Sequence, residues 1–190
     1  MHRQHLNNLL LRYAEQWPDE QELVDRFLAF IGAYEDCLLR SCVPGHITSS
    51  AWILSADEQS ALLTHHRKLG RWLQLGGHVD GESQIEEACL REAREESGMY
   101  AFTFVPWAGE ELVPFDIDVH VIPERKLEPQ HEHWDIRFLL RAAPDQELVI
   151  SEESNQLEWV PLLRLQEFTD EESVIRLHRK ASGLRGEANG

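Results

Sequence analysis

Three glutamates, Glu92, Glu95 and Glu96, lie close together near the middle of the chain, and Arg91 directly precedes them. At 100° per residue, counted from Ile85, they fall at roughly 340°, 280° and 20° of a helical wheel, the side that the first turns give to apolar residues. A carboxylate facing a packed interior is costly unless a charge meets it. Arg91 can reach Glu95 four residues on, but one arginine cannot neutralise three carboxylates. The spacing therefore predicts a site for a hard divalent cation, Mg²⁺ or Mn²⁺, with a solvated acidic face as the alternative.

A helix over residues 84–97 is predicted to present these glutamates. Ser83 and Glu86 have the Ser-x-x-Glu spacing of a capping box, which makes Ser83 the expected N-cap. Gly98 is placed as the residue that ends the helix in a left-handed conformation. A glycine-rich stretch, residues 76–81, leads into this helix.

The same segment, GGHVDGESQIEEACLREAREESGM, resembles the signature box of the Nudix hydrolases, G-x5-E-x7-R-E-U-x-E-E-x-G-U, in which U is a bulky apolar residue. Seven positions fall on this pattern: Gly77, Arg91, Glu92, Glu95, Glu96, Gly98 and Met99. Two positions depart from it, because Ser83 replaces the first glutamate and Ala93 is small for U. The neighbouring Glu82 can supply the charge that Ser83 lacks.

The resemblance extends to residues 61–77, a strand and loop that lead to the two glycines, and to residues 157–162, which resemble the closing strand before the last helix. Together these segments cover about residues 49–180. The implied fold is of the α/β class, an α/β/α sandwich around a mixed β-sheet. We expect a helical N-terminal extension at 1–45, the Nudix domain at 46–184 and a disordered tail at 185–190.

The resemblance implies a hydrolase that cleaves the diphosphate linkage of a nucleoside diphosphate derivative, NDP-X, into NMP and P-X. Glu92, Glu95 and Glu96 would hold Mg²⁺, with Mn²⁺ as a substitute and the Gly77 carbonyl as a further ligand. The ion would neutralise the diphosphate and activate a water molecule. Catalytic roles are implied for Glu95, Glu96 and Arg91.

A general base for that water is expected among the box glutamates or in a later loop. Glu153 is the loop candidate, because it lies six residues before Trp159 in an acidic stretch. In MutT-type members of the family, a glutamate at a similar distance from a similar tryptophan binds metal or activates water. Glu153 is therefore predicted to be catalytic or a metal ligand, and Glu152 is not.

Two further groups are candidates for substrate binding. His65, Lys68 and Arg71 form a basic cluster in the loop before the glycines, where phosphates would lie. The residues His131–Phe138 alternate in polarity, which would place His131, His133, Asp135 and Arg137 on one face. That face could line the substrate cleft or be simply solvated, and its His-x-His-x-Asp run could also bind a transition metal.

Composition restricts the partners. Thirty-four acidic residues against 18 basic ones give a formal charge of −16, which disfavours nucleic acid and anionic membranes but permits a small phosphorylated substrate. No apolar run is long enough to span a bilayer, and the N-terminus does not read as a signal peptide. Three cysteines without a Cys-x-x-Cys pair indicate reduced thiols and a cytoplasmic location.

Two helices are predicted between residues 5 and 40, broken near Trp17-Pro18. The second helix carries a broad apolar stripe that needs a partner, and we favour packing on the main domain over a homodimer through the N-terminal helices. Strands are predicted at residues 49–55, 61–65, 101–106, 115–122, 134–142 and 157–160. A last helix is expected to open with the capping box Thr169-x-x-Glu172 and to end at Ser182-Gly183.

Two other function classes share this fold. A non-catalytic ligand sensor often loses the box carboxylates, whereas this chain keeps Glu92, Glu95 and Glu96. An isopentenyl diphosphate isomerase uses a cysteine near a Gly-His-Pro stretch, and the corresponding residues 75–78 contain none. The hydrolase is therefore the favoured reading and the sensor its alternative.

Overall fold

A computed structural model describes residues 3–124, 128–152 and 154–187 of the chain. Its helices are α1 (Gln4–Gln16), α2 (Gln21–Ala33), α3 (Ile85–Ser97), α4 (Leu165–Phe168) and α5 (Glu172–Glu187). Its strands are β1 (Gly45–Leu54), β2 (Ser60–His66), β3 (Arg71–Leu73), β4 (Leu75–His78), β5 (Phe102–Phe104), β6 (Asp116–Ile122), β7 (His131–Ala142) and β8 (Ser154–Pro161). None of the helices in these ranges combines the length and apolar character that a membrane span needs.

The strands form one mixed sheet. Parallel β1 and β7 lie at its centre, and β4 and β6 pair antiparallel with their outer edges. Strand β5 pairs with the far end of β7. Strand β2 joins β1 at Leu54 and Ala61 and carries β3 and β8 as antiparallel neighbours.

Helices cover both faces of this sheet, which confirms the predicted α/β/α sandwich. On one face, α1, α2 and α3 pack on a core that includes Ile47, Ile53 and Phe138. On the other face, α4 and α5 pack on Trp52 and Leu139. Because side chains alternate along β1, its odd-numbered residues point to the first face and its even-numbered residues to the second.

The apolar stripe of the second predicted helix packs on the sheet, as the sequence favoured. Phe30 stacks on Trp134 of β7 with ring centroids 4.4 Å apart, and Phe27 meets the same ring edge-on at 5.0 Å. The helix ends at Ala33, short of the predicted Arg40, because Tyr34 turns to an extended conformation. Val24 and Ile31 complete the buried side.

The helix boundaries differ from the prediction in two places. Helix α3 begins at Ile85 with Gln84 as N-cap, and Ser83 makes no cap; Glu82 Oε1 instead accepts the Gln84 N–H at 2.9 Å. Gly98 adopts the predicted left-handed conformation, with φ 72°.

The last helix departs more strongly from its prediction. Thr169 Oγ1 accepts the Glu171 N–H at 3.2 Å and donates to the Trp72 carbonyl at 3.1 Å, so it does not close a capping box with Glu172. The helix also continues through Ser182-Gly183, where Ser182 Oγ donates to the His178 carbonyl one turn earlier. The tail predicted to be disordered, 185–190, therefore starts inside a helix, and residues 188–190 lie outside the described residues.

The strands at the polar end of the sheet begin earlier than predicted. Strands β1, β7 and β8 start at Gly45, His131 and Ser154, three or four residues before the expected positions. Polar residues lie at the start of each of these strands, so a prediction that relies on apolar residues makes the strands too short. Strands β3 and β4 were not predicted, because three or four residues are too few to show a period.

Candidate active site

Two glycines bring the backbone of β4 against helix α3. Gly76 pairs with Ser50 and Gly77 with Ser49 across the edge of the sheet. A Cβ atom on Gly76 would overlap the Ser50 side chain, and one on Gly77 would lie 2.5 Å from Glu92 Oε2. Gly76 therefore leaves no room for a side chain against β1, and a side chain at position 77 would displace the Glu92 carboxylate from β4.

The box carboxylates gather at this point of contact. Glu96 is 8% exposed, and its Oε2 accepts the Gly76 N–H at 2.9 Å. The Glu92 side chain is 13% exposed, whereas that of Glu95 is 61% exposed. Glu92 and Glu96 thus face β4, and Glu95 lies at the solvent rim because it is the furthest of the three from the centre of the apolar side.

Arg91 connects this cluster to the end of β4. Its Nη1 donates to Glu92 Oε1 at 2.6 Å and to Glu95 Oε2 at 3.4 Å, and its Nη2 donates to the His78 carbonyl at 2.7 Å. The predicted pair with Glu95 is present, but the shorter bond goes to Glu92. These contacts suit a positioning residue that holds two carboxylates in place.

The donor set fits a hard divalent cation. The Glu92 and Glu96 carboxylates and the backbone of Gly77 offer oxygen atoms, the ligands that Mg²⁺ and Mn²⁺ prefer. The cluster is looser than a closed ligand set, since within the described ranges only His46, His131 and His133 bring three potential ligand atoms within 4.8 Å of one another. The box therefore provides the chemistry of a magnesium site in an open arrangement.

The loop glutamate predicted to act with the box, Glu153, lies outside the described residues. Its neighbours are attached to the end of β2. Arg67 Nη1 donates to the Glu152 carbonyl at 3.0 Å, and the hydroxyls of Ser154 and Thr64 lie 2.6 Å apart.

The basic cluster occupies a β-hairpin, which corrects its predicted placement in a loop. His65 belongs to β2 and Arg71 to β3, and only Lys68 lies in the turn between them. His65 meets the Trp72 ring edge-on and lies 3.2 Å from the Asn155 side-chain nitrogen. Arg71 Nη1 forms an ion pair with Glu171 at 2.7 Å.

Asp135 and Arg137 are buried in an ion network, so they neither line an open cleft nor lie on a solvated face, the two alternatives that the sequence had left open. Arg137 is 1% exposed, and its Nε, Nη1 and Nη2 donate to Asp135, Asp116 and Asp118 at 2.8, 3.0 and 2.9 Å. Strand register explains this, because Arg137 pairs directly with Asp116, and Asp135 with Asp118. All three guanidinium nitrogens are engaged, so the geometry supports a role for Arg137 in the core and not in substrate contact.

Helix α5 adds positive charge to this network. Arg176 Nη2 donates to Asp116 and Asp118 at 2.7 and 3.0 Å, and Lys180 lies 2.8 Å from Asp116. Burial raises the pKa of Asp118, but the nearby His120 and the charges of Arg137 and Arg176 outweigh it and hold that pKa well below its usual range. The last helix is therefore fastened to the sheet by charge as well as by apolar packing.

His131 and His133 lie at the opposite end of the same sheet face, together with three other histidines. The sequence analysis named neither His46 nor His78 as a candidate, and it missed His46 because it placed the start of β1 at Ser49. Polar residues at the alternate positions His46, Thr48 and Ser50 continue the alternation seen at Ser50-Ala51-Trp52. This pattern could have extended the predicted strand back to His46.

Comparison with known proteins identifies the fold and the family. A family model described as the NUDIX domain matches residues 45–180. A Nudix-family hydrolase from Clostridium perfringens is 25% identical, with a TM-score of 0.57 over 74% of this chain and 96% of that one. An Ap4A hydrolase from C. elegans is 18% identical, with a TM-score of 0.58 over 74% and 98% of the two chains. The dihydroneopterin triphosphate pyrophosphohydrolase of E. coli is 14% identical, with a TM-score of 0.53 over 70% and 92%. No curated protein sequence matches the chain.

The fold and the glycine–glutamate site are those of a Nudix domain. The chain belongs to the Nudix family, whose members generally hydrolyse nucleoside diphosphate derivatives and generally use a divalent metal ion.

Proposed function

We propose that this chain is a Mg²⁺-dependent hydrolase that cleaves the diphosphate linkage of an NDP-X compound into NMP and P-X. The observation that carries the proposal is the placement of the Glu92 and Glu96 carboxylates beside Gly76 and Gly77, with Arg91 holding Glu92. Positioning and charge stabilisation supply most of what phosphoryl transfer requires, so this machinery suffices without a covalent intermediate.

The chain's own residues divide the work as follows. Glu92, Glu96 and the Gly77 carbonyl would hold the ion, with Glu95 at the outer edge of the site. When bound, the ion supplies charge to the diphosphate oxygens and lowers the pKa of a water molecule. Glu153 or a box glutamate accepts the proton of that water, and Arg91 keeps the carboxylates in register.

Substrate phosphates contact the hairpin that carries His65, Lys68 and Arg71. Lys68 is exposed, and Arg67 next to it joins the hairpin to the Glu152 carbonyl. A basic turn beside an acidic metal site suits a ligand that carries both phosphates and a bound cation. Arg71 contributes only if it leaves Glu171.

The partner that we propose is a small phosphorylated molecule and not a nucleic acid, in keeping with the net charge of −16. A homodimer through the N-terminal helices is not part of the proposal, because the apolar stripe that motivated it packs on the sheet. A cytoplasmic location is supported by the three cysteines, which form no disulfide in the described part of the chain.

A panel of nucleoside diphosphate derivatives tests the function: nucleotide sugars, dinucleoside polyphosphates, nicotinamide dinucleotides and nucleoside triphosphates. Each is incubated with Mg²⁺ or Mn²⁺, and the products are read by phosphate release after phosphatase treatment. The proposal expects NMP and P-X from at least one class. Binding of a panel member without turnover would favour a ligand sensor instead.

We expect Mg²⁺ to raise the melting temperature of the chain. Binding to the folded state alone stabilises it by mass action, and the ion relieves the repulsion among Glu92, Glu95 and Glu96. The measurement is a thermal melt in MgCl₂, with NaCl at matched ionic strength as the control. Equal shifts in the two salts would indicate an acidic face that is merely solvated.

The two neighbouring loop acids should differ. We expect Glu153→Gln to lower turnover by roughly ten- to a thousandfold, the range for loss of a general base or one ligand. Glu152→Gln is the matched control and should remain near wild type. Full activity in Glu153→Gln would assign the general base to the box glutamates.

A further inference from the structure

Five histidines lie side by side on the face of the sheet opposite helix α3. They come from four adjacent strands, β4, β1, β7 and β6, and are His46, His78, His120, His131 and His133. His46 pairs with His133 across parallel strands, and His120 pairs with His133 across antiparallel strands. The His133 ring lies 4.9–5.3 Å from each of the other four ring centroids. Side-chain alternation along β1, β6 and β7, together with His78 at the end of β4, therefore places the five imidazole rings in one cluster.

Three of these rings are arranged as metal ligands. His46, His131 and His133 bring one ring nitrogen each within 4.8 Å of the others. The Nε2 atoms of His131 and His133 lie 3.3 Å apart. Two nitrogens bound to one tetrahedral Zn²⁺ at about 2.05 Å are separated by about 3.3 Å. This pair therefore already has the spacing of two ligands on one ion.

The Nδ1 atom of His131 is held by a backbone carbonyl, as is usual for a histidine that binds a metal through Nε2. This atom lies 2.8 Å from the Pro129 carbonyl, which can only accept, so Nδ1 carries the proton. Nε2 is then the atom with the free lone pair, and it faces His133 Nε2. A backbone carbonyl on the other ring nitrogen is the usual support of a metal-bound histidine.

The His46 side chain is buried, with 4% of it exposed. Within the described residues neither ring nitrogen meets the geometry of a hydrogen bond, and the Cys42 backbone interacts with the ring only outside that geometry. Burying a polar group without a partner is costly, and native structures seldom do so without a ligand or water at the site.

We propose that His46, His131 and His133 bind one divalent transition metal ion, with Zn²⁺ the ion that three neutral imidazoles suit best. The site is separate from the glutamate box, because His46 precedes Ser50, the partner of Gly76, by four residues or about 13 Å along β1. Three protein ligands leave the fourth position for water or an oxygen atom of a bound molecule. Soft imidazole nitrogen and hard carboxylate oxygen allow the two sites to take different metals.

The test is Zn²⁺ binding to the full, tag-free chain after chelator treatment, measured by competition with a chromogenic chelator. We expect one Zn²⁺ per chain, and a loss of affinity of at least about a hundredfold in His131→Gln and in His46→Gln, since supporting residues of such sites already cost about 10- to 100-fold and a ligand costs more. His120→Gln is the matched control, because it removes a ring of the cluster outside the trio, and it should bind as wild type does. Circular dichroism verifies the fold of each variant.

His131→Gln keeps the test decisive if His46→Gln does not fold, because the His131 side chain is only partly buried. Unchanged Zn²⁺ affinity in folded His131→Gln, or no stoichiometric binding by the folded wild-type chain, would overturn the proposal. Glu96→Gln should leave Zn²⁺ affinity unchanged. Loss of Zn²⁺ binding there would place the ion at the box and equally overturn it.

Discussion

Glu96→Gln should reduce turnover at least about a hundredfold with little change in folding, because charge stabilisation by a bound metal is a large share of such catalysis. The Glu96 carboxylate accepts the Gly76 N–H at 2.9 Å, and the glutamine carbonyl can still accept that bond. The substitution thus keeps shape and backbone contact and removes one negative charge from the ion's surroundings. Relief of repulsion with Glu92 should leave the metal-free variant at least as stable as wild type.

The matched control for this variant is Glu87→Gln, an exposed position on the solvent side of the same helix. It makes the same change of net charge away from β4 and should retain wild-type turnover. Steady-state kinetics with the best substrate of the panel, together with thermal melts, make the comparison. Wild-type activity in Glu96→Gln would remove Glu96 from the catalytic assignment.

Arg137→Met should destabilise the fold by about 3–5 kcal/mol, the cost of removing one partner from a buried ion pair. Arg137 donates to three carboxylates, those of Asp116, Asp118 and Asp135, on one face of the sheet. Without it, Arg176 and Lys180 reach Asp116 but the centre of the network holds excess negative charge. The change corresponds to a fall in melting temperature of about 6–20 °C for a chain of this size.

Arg141→Met on the same strand is the control, since Arg141 is half-exposed and forms a surface ion pair with Glu58 at 3.1 Å. Such a surface pair contributes less than about 1 kcal/mol. Urea unfolding measures both variants. Equal midpoints for the two would contradict the account of the network.

The difference between wild type and Arg137→Met should also depend on pH. The folded pKa of Asp118 is lowered, so its ionised form contributes stability that is present above its unfolded pKa, near 4, and is lost as the pH falls further. The stability advantage of wild type should therefore shrink as the pH is lowered through about 4.

Local patterns in the sequence predicted the part of the site that lies on one helix. The wheel of α3 placed Glu92 and Glu96 on the buried side, and Gly98 took the left-handed position that was expected. The resemblance to the Nudix box then connected these glutamates to Gly77, a residue that no periodicity relates to them.

Pairings between distant strands could not be read in the same way. The burial of Arg137 depends on the register of β6 against β7 and on the approach of Arg176 from α5, some 40 residues further along the chain. The histidine cluster depends in addition on β1 starting at Gly45, which a polar strand end concealed. Alternation along β7 grouped the correct residues on one face. Only the register of β7 against its neighbouring strands shows that this face is buried and which residues cover it.

The proposed Mg²⁺-dependent hydrolysis of NDP-X at the glutamate box is tested most directly by the turnover of chelator-treated wild-type chain. Turnover is measured on the nucleoside diphosphate panel as Mg²⁺ is added back. We expect no hydrolysis without a divalent ion, and we expect NMP and P-X to form again as Mg²⁺ fills the site. The Glu96→Gln variant should show no such recovery at the same Mg²⁺ concentrations. Hydrolysis that is indifferent to the chelator and to Mg²⁺, or a folded chain that hydrolyses no member of the panel at saturating Mg²⁺ or Mn²⁺, would contradict it.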